Sequence, residues 1–130
     1  MKIIAHAEAA NDPIAKTLRL ANDADLAQLA LDGAFRGIDR IELNFPKFTD
    51  GRAYSQAVLL RRRYRFGGDI RATGDVLIDS LVHMQRSGFT SAVLAEGVQS
   101  AAAERQFARY HAFYQGDVLQ PQPLFAREAA

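Results

Sequence analysis

Residues 38–64 decide the fold, and they read IDRIELNFPKFTDGRAYSQAVLLRRRY. Residues 38–45 alternate apolar and polar side chains, which is typical of a β-strand. Pro46 ends this alternation. Apolar side chains then recur at helical spacing over residues 52–65, at Ala53, Ala57, Leu60 and Tyr64. A strand followed through a short loop by a helix is the unit from which α/β proteins are built.

The same order recurs in the second half of the chain. Two more strands are predicted, at 69–72 and 91–95. The turn Thr73-Gly74-Asp75 leads into a helix that Ser87-Gly88 closes, and a last helix is predicted from about Val98 to Gln115. Short connections favour a parallel sheet with right-handed crossovers.

The predicted class is therefore α/β, a small mainly parallel sheet of about four to five strands with flanking helices. Two architectures fit, a flavodoxin-like sheet and a partial (β/α) barrel. A complete barrel needs about 200 residues or more, and the chain has 130.

The N-terminal part gives weaker signals. Residues 8–17 have no clear period and are predicted to form a loop. Leu18-Arg19-Leu20 is a short strand candidate. Asn22 or Asp23 is expected to cap a helix, because a short acceptor side chain satisfies the first free N–H groups. Gly37 is expected to end that helix.

Residues 1–116 are expected to form one domain, since this length supports one core. Residues 117–130 contain Pro121 and Pro123 between apolar pairs and are predicted to be an extended tail. Such a tail would dock on its own domain or on a partner.

Composition excludes several classes of site. The chain has no cysteine, so disulfides, thiolate metal sites and cysteine nucleophiles are excluded. A net charge of +1 gives no argument for nucleic acid. No apolar run reaches the ~20 residues of a membrane helix, so no membrane partner and a cytoplasmic location are expected. The three histidines are widely spaced, which argues against a metal site. No nucleotide fingerprint occurs, and no cofactor is implied.

Ligands of parallel sheets bind at the carboxyl ends of the strands. The loops expected there carry Lys47, Arg52 and Arg71, which we interpret as a candidate anion-binding corner at helix N-termini. In the simpler alternative, Arg52 pairs with Asp50, Asp75 or Glu96, or extends into water.

Asp50 and Asp75 each stand beside a glycine, just before an apolar periodic run. The simpler interpretation makes each of them a helix cap. The functional interpretation makes them a catalytic acid and base.

Three segments carry a resemblance to a known family. They are residues 45–55 with Leu59-Leu60-Arg61, residues 70–77, and Met84-Gln85-Arg86-Ser87-Gly88-Phe89. Their order and spacing over residues 38–95 resemble a bacterial family of unknown function, described as an oxidoreductase involved in sulfite reduction. Some members have Gln where this chain has Ser80.

The resemblance implies a role beside assimilatory sulfite reductase. The leading hypothesis is an accessory protein that binds sulfite reductase as its partner, and a small anion as well. One alternative is a small oxidoreductase or another enzyme acting on an anionic substrate, with Asp50 or Asp75 transferring protons. A further alternative is a non-catalytic homodimer whose tails exchange between subunits.

Overall fold

The computed structural model describes residues 1–12 and 15–111. The predicted tail and the predicted end of the last helix, from residue 112 onward, lie outside this part of the chain. Five strands alternate with helices in the described part. The strands are β1 (Lys2–Ile4), β2 (Thr17–Leu20), β3 (Arg40–Phe45), β4 (Asp69–Gly74) and β5 (Ser91–Val93).

The helices are α1 (Leu26–Leu31), α2 (Arg52–Arg62), α3 (Leu81–Ser87) and α4 (Ser100–His111). Two 3₁₀ turns precede β2 and α3, at His6–Asn11 and Ile78–Ser80. Among the described helices, none is both long and apolar enough to span a bilayer.

All five strands are parallel, in the order β1-β5-β4-β3-β2. This confirms the predicted α/β class. Strands β2 to β5 are neighbours in chain order, as in a segment of a (β/α) barrel. In a flavodoxin-like sheet β1 lies between β2 and β3, whereas here it lies beside β5. Of the two predicted architectures, the strand order therefore fits the partial barrel.

One face of the sheet is apolar and packs against the helices. Its side chains are fully buried and belong to one core with residues of α2, α3 and α4. They include Ile41, Leu43, Phe45, Ile70, Ala72 and Ala92. The helices also contact one another in sequence, α2 with α3 and α3 with α4. This burial supplies the main favourable free energy of folding.

The opposite face of the sheet is polar. Side chains that are adjacent in parallel register point to the same face, and one such row crosses all five strands: Lys2, Ser91, Arg71, Glu42 and Arg19. Parallel sheets are usually apolar on both faces, because helices cover both. In this sheet, charged and polar side chains occupy one face, where a covering helix would normally pack against apolar residues.

Several predicted boundaries need correction. Asp25, rather than Asn22 or Asp23, caps α1 by accepting a hydrogen bond from the Gln28 N–H. The Asn22 amide N–H donates to Asp50, so its side chain joins two loops. Helix α1 ends at Leu31, and the chain reaches β3 through Gly33 and Gly37, both with positive φ.

Two further elements differ from the prediction. The segment predicted as a loop at 8–17 begins inside the 3₁₀ turn His6–Asn11 and ends in β2. Helix α2 stops at Arg62 rather than at residue 65, because Arg65 has a left-handed backbone, with φ of 56°. Strand β1 was not predicted, since three residues are too few to show a period.

Arg61 fixes the far end of α2. Its guanidinium donates to the carbonyl oxygens of Gly88, Phe66 and Gly68 at 2.9, 2.9 and 2.7 Å. These carbonyls belong to the end of α3 and to the turn before β4. Arg61 thus joins three segments with hydrogen bonds to a charged donor, which are stronger than neutral ones. Burial lowers the pKa of this arginine, which Asp69 partly offsets.

Gly88→Ala tests this junction. Gly88 has φ of +115°, and an added Cβ would lie 2.7 Å from Cγ of Arg61. We expect a loss of about 1–3 kcal/mol in the free energy of unfolding, measured by urea titration. Gly67→Ala is the matched control, because a Cβ there meets nothing within 4 Å. Equal stabilities of the two variants would contradict the assignment.

Candidate functional site

The loop after β3 is tied to the end of β4. The N–H of Phe48 donates to a carboxylate oxygen of Asp75 at 2.8 Å, and the N–H of Asp75 donates to the Phe45 carbonyl at 2.8 Å. A Cβ at Gly74 would lie 2.4 Å from that carbonyl, so the two loops approach closely only because this residue is glycine. The loop at residues 46–50 is therefore fixed from both ends.

Asp50 closes the same loop from its other side. Its carboxylate accepts from the Arg52 N–H at 3.0 Å and from the Arg52 guanidinium at 3.1 and 2.7 Å. The Asn22 amide adds a bond of 2.9 Å. Hydrogen bonds from Arg52, with a smaller one from Asn22, lower the pKa of Asp50 to about 2. A carboxylate held so firmly ionised is unsuited to proton transfer near neutral pH.

The cap prediction holds only in part for Asp50 and is wrong for Asp75. Gly51 is the N-cap of α2, and Asp50, one residue earlier, accepts the first N–H of the helix and pairs with the Arg52 guanidinium. Asp75 does not cap a helix, because the chain continues through residues 76 and 77 before the 3₁₀ turn. Its side chain holds the Phe48 N–H instead. Both carboxylates thus organise the strand-end loops.

Arg71 lies elsewhere. It stands in the middle of β4, on the polar face, and is only 3% exposed. Its guanidinium donates to Asp12 at 2.6 Å and to the Ser91 hydroxyl at 2.9 Å. Arg52 is paired with Asp50 at the strand ends, so the two guanidinium groups are engaged by separate carboxylates. The structure does not join Arg71, Arg52 and Lys47 in one anion-binding corner.

Asp12 is the centre of a cluster that sequence reasoning missed. Its carboxylate accepts from Lys2 at 2.6 Å, from Arg71 at 2.6 Å and from Arg40 at 3.1 Å, and its side chain is 7% exposed. Hydrogen bonds from Lys2 and Arg71 lower the pKa of Asp12 to about 2. Arg40 and Arg71 follow Asp12 by 28 and 59 positions, so no local pattern signals this site.

Asp69 completes this cluster on the polar face. It accepts from Arg40 at 2.9 Å and from the hydroxyls of Thr90 and Ser91 at 2.6 and 2.9 Å. Burial acts to raise the pKa of Asp69, but the bonds from Thr90, Ser91 and Arg40 outweigh it, and the pKa is lowered. All the carboxylates of the cluster are therefore ionised at neutral pH.

Three side chains at the strand ends face solvent. Phe48 is 52% exposed, and Lys47 and Arg52 lie on either side of it along the chain. Lys47 has no ion-pair partner within residues 1–12 and 15–111. We call Lys47, Phe48 and Arg52 the strand-end surface. It combines an aromatic ring and one cation, on a loop that is fixed from both ends, with a second cation at the first position of α2.

Tyr54 lies beneath this edge, between the core and His83. Its ring packs edge-on against Phe45 at 5.0 Å and against His83 at 4.1 Å. Burial raises the pKa of Tyr54, and a hydrogen bond with Ser80 partly offsets this. Burial, then Arg86, lowers the pKa of His83. Tyr54 is therefore a protonated phenol that anchors the first turn of α2 to α3.

These features define an all-parallel α/β protein with a fixed strand-end surface and a charged sheet face. A family model described as "Bacterial protein of unknown function (DUF934)" matches residues 17–125. The chain belongs to this family. The match extends beyond the residues 38–95 on which the resemblance was based. No curated protein and no solved structure matches the chain.

The pH dependence of stability tests the cluster around Asp12. Folding lowers the pKa of Asp12 from 3.8 to about 2, so its stabilising contribution is complete above about pH 5 and is lost as pH falls toward 2. We expect the urea midpoint of the protein to drop over this range. Asp12→Asn should be less stable at pH 7 and should show a shallower drop.

The control is Asp79→Asn, which removes an exposed carboxylate outside the cluster and should keep the steep drop. Asp50 titrates over the same range and is unchanged in both variants. Identical pH profiles for the Asp12 variant and the parent protein would contradict the assigned role.

Proposed function

We propose that this protein is an accessory protein of assimilatory sulfite reduction and that it binds sulfite reductase through the strand-end surface. The exposure of Phe48 on a fixed loop carries the proposal, together with the resemblance described above. Two segments of that resemblance are in contact in the fold, because the Asp75 carboxylate of one accepts a hydrogen bond from the Phe48 N–H of the other.

The geometry of Phe48 favours docking to a protein. Exposed aromatic side chains commonly supply much of the binding energy at interfaces. The loop that carries Phe48 is already ordered by hydrogen bonds to Asp75 and Asp50, so little conformational entropy is lost when a partner binds. The neighbouring cation Lys47 would add long-range attraction to an acidic partner surface and speed association, whereas the charge of Arg52 is balanced by Asp50.

The catalytic alternative has less support. Asp50 is held ionised by Arg52, and Asp75 is occupied by a backbone N–H. A substrate anion at this edge would have to compete with Asp50 for the Arg52 guanidinium. The arrangement therefore favours a docking role over proton transfer. The homodimer alternative depends on the tail, which lies outside the described residues.

Phe48→Ala should weaken binding to sulfite reductase from the same host by about tenfold or more, as expected for loss of a central aromatic contact. Lys47→Glu should slow association and reduce its sensitivity to salt. Both are measured by biolayer interferometry with immobilised reductase. Leu31→Ala is the matched control. Leu31 is an 82% exposed apolar side chain at the C-terminal end of α1, outside the strand-end surface, so its removal should not affect binding.

Two results would reject the proposal. One is the absence of any association between the parent protein and the reductase at micromolar concentrations. The other is an equal loss of affinity in the Leu31 and Phe48 variants, which would show that the strand-end surface has no special part in binding. Circular dichroism of each variant confirms that the fold is retained.

A further inference from the structure

Three cations converge on one carboxylate on the polar face of the sheet. Lys2, Arg40 and Arg71 donate to Asp12, and both carboxylate oxygens are occupied. Hydrogen bonds between ionised groups are among the strongest in proteins. A single carboxylate needs only one cation to balance its charge, so this group of donors exceeds what Asp12 requires. We call Lys2, Arg40 and Arg71 the cationic cradle.

The charges around the cradle leave a positive excess. The three cations face Asp12 and Asp69, which leaves one positive charge in the cluster. Glu42 contributes nothing to the balance, because it pairs with Arg19 in the same row. Without Asp12 the excess would be two. Uncompensated charge is costly where side chains are buried. The side chains of Arg71 and Arg40 are only 4% and 14% exposed.

Asp12 lies between the buried arginines and solvent. It directly follows the short 3₁₀ turn and lines a cavity of about 280 Å³ beside β1, together with Lys2 and Asn11. Arg40 and Arg71 do not line this cavity, so an anion would reach them only in place of the Asp12 carboxylate. This volume holds several water molecules. Glu8 and Glu104 also line the cavity, but both are exposed, so solvent and salt screen their repulsion of an anion.

We propose that the cationic cradle is a binding site for a small divalent oxyanion, and that Asp12 occupies it as an internal competitor. Sulfate, sulfite and phosphate share the required chemistry of several acceptor oxygens and two negative charges. The anion would replace the Asp12 carboxylate on Lys2, Arg40 and Arg71, and the two negative charges would match the excess of two. This inference is independent of the docking proposal, because the cradle and the strand-end surface share no residue.

Asp12→Ala tests the site directly. Binding of sodium sulfate, sulfite and phosphate is measured by calorimetry at constant ionic strength, with sodium chloride as the balancing salt. We expect the variant to bind at least one dianion ten times more tightly than the parent protein, because the competitor is gone. Sulfate should also raise the thermal midpoint of the variant more than chloride does. Comparing the three anions identifies which oxyanion the cradle prefers.

Two controls make the result specific. Asp79→Ala removes the same charge from an exposed position away from the cradle and should leave anion binding as weak as in the parent protein. Lys2→Ala in the Asp12→Ala background removes one donor from a largely exposed position, so it is compatible with folding, and it should reduce affinity about tenfold. Phe48→Ala should bind the anions as the parent protein does, which separates this test from the docking test.

Two outcomes would overturn the proposal. The first is equal stabilisation of the Asp12 variant by sulfate and chloride, with no heat of binding for any of the dianions. The second concerns folding. Should Asp12→Ala fail to fold in chloride, refolding in sulfate, sulfite or phosphate of equal ionic strength decides the question. Recovery in a dianion alone supports the site, and recovery in none of them rejects it.

Discussion

The salt bridge between Arg71 and Asp12 is the interaction on which the rest of the structure depends. The helices cover one face of the parallel sheet and bury its apolar side chains. The other face carries Arg40, Glu42 and Arg71, and a buried guanidinium without a carboxylate would be strongly destabilising. Asp12 supplies that carboxylate from a segment outside the sheet. One ion pair thereby fixes the N-terminal segment and makes a charged face compatible with a folded sheet.

The two charged regions of the molecule serve different purposes. At the strand ends, Asp50 and Asp75 use their oxygens to order a loop, and the loop presents Phe48 and Lys47 to solvent. On the polar face, the cations point inward to one carboxylate. The same residue types therefore produce a solvent-exposed surface in one place and an enclosed cluster in the other, because backbone geometry decides whether a cation faces solvent or a carboxylate.

The sequence predicted the elements whose signals are local. Alternation identified β3, and Gly88, in the left-handed conformation, ends α3 as expected. The simpler alternative for Arg52 included pairing with Asp50, Asp75 or Glu96, and the structure shows Asp50, which is two positions away. Asp12 could not be predicted, since its arginine partners lie on distant strands. The placement of Arg71 was wrong. A strand predicted to end at residue 72 put Arg71 in the strand-end loops, whereas β4 continues to Gly74 and Arg71 lies within it, on the polar face.

The position of β1 has a consequence for the order in which the chain assembles. Strands β2 to β5 pair with neighbours in sequence and can add to the sheet one after another as they leave the ribosome. Strand β1 is synthesised first, but it pairs with β5, near the end of the described chain. Strand β1 therefore precedes the other four strands in the chain but is among the last to pair. Until then the edge of β5 is open, and a nascent chain is most exposed to mispairing during this interval.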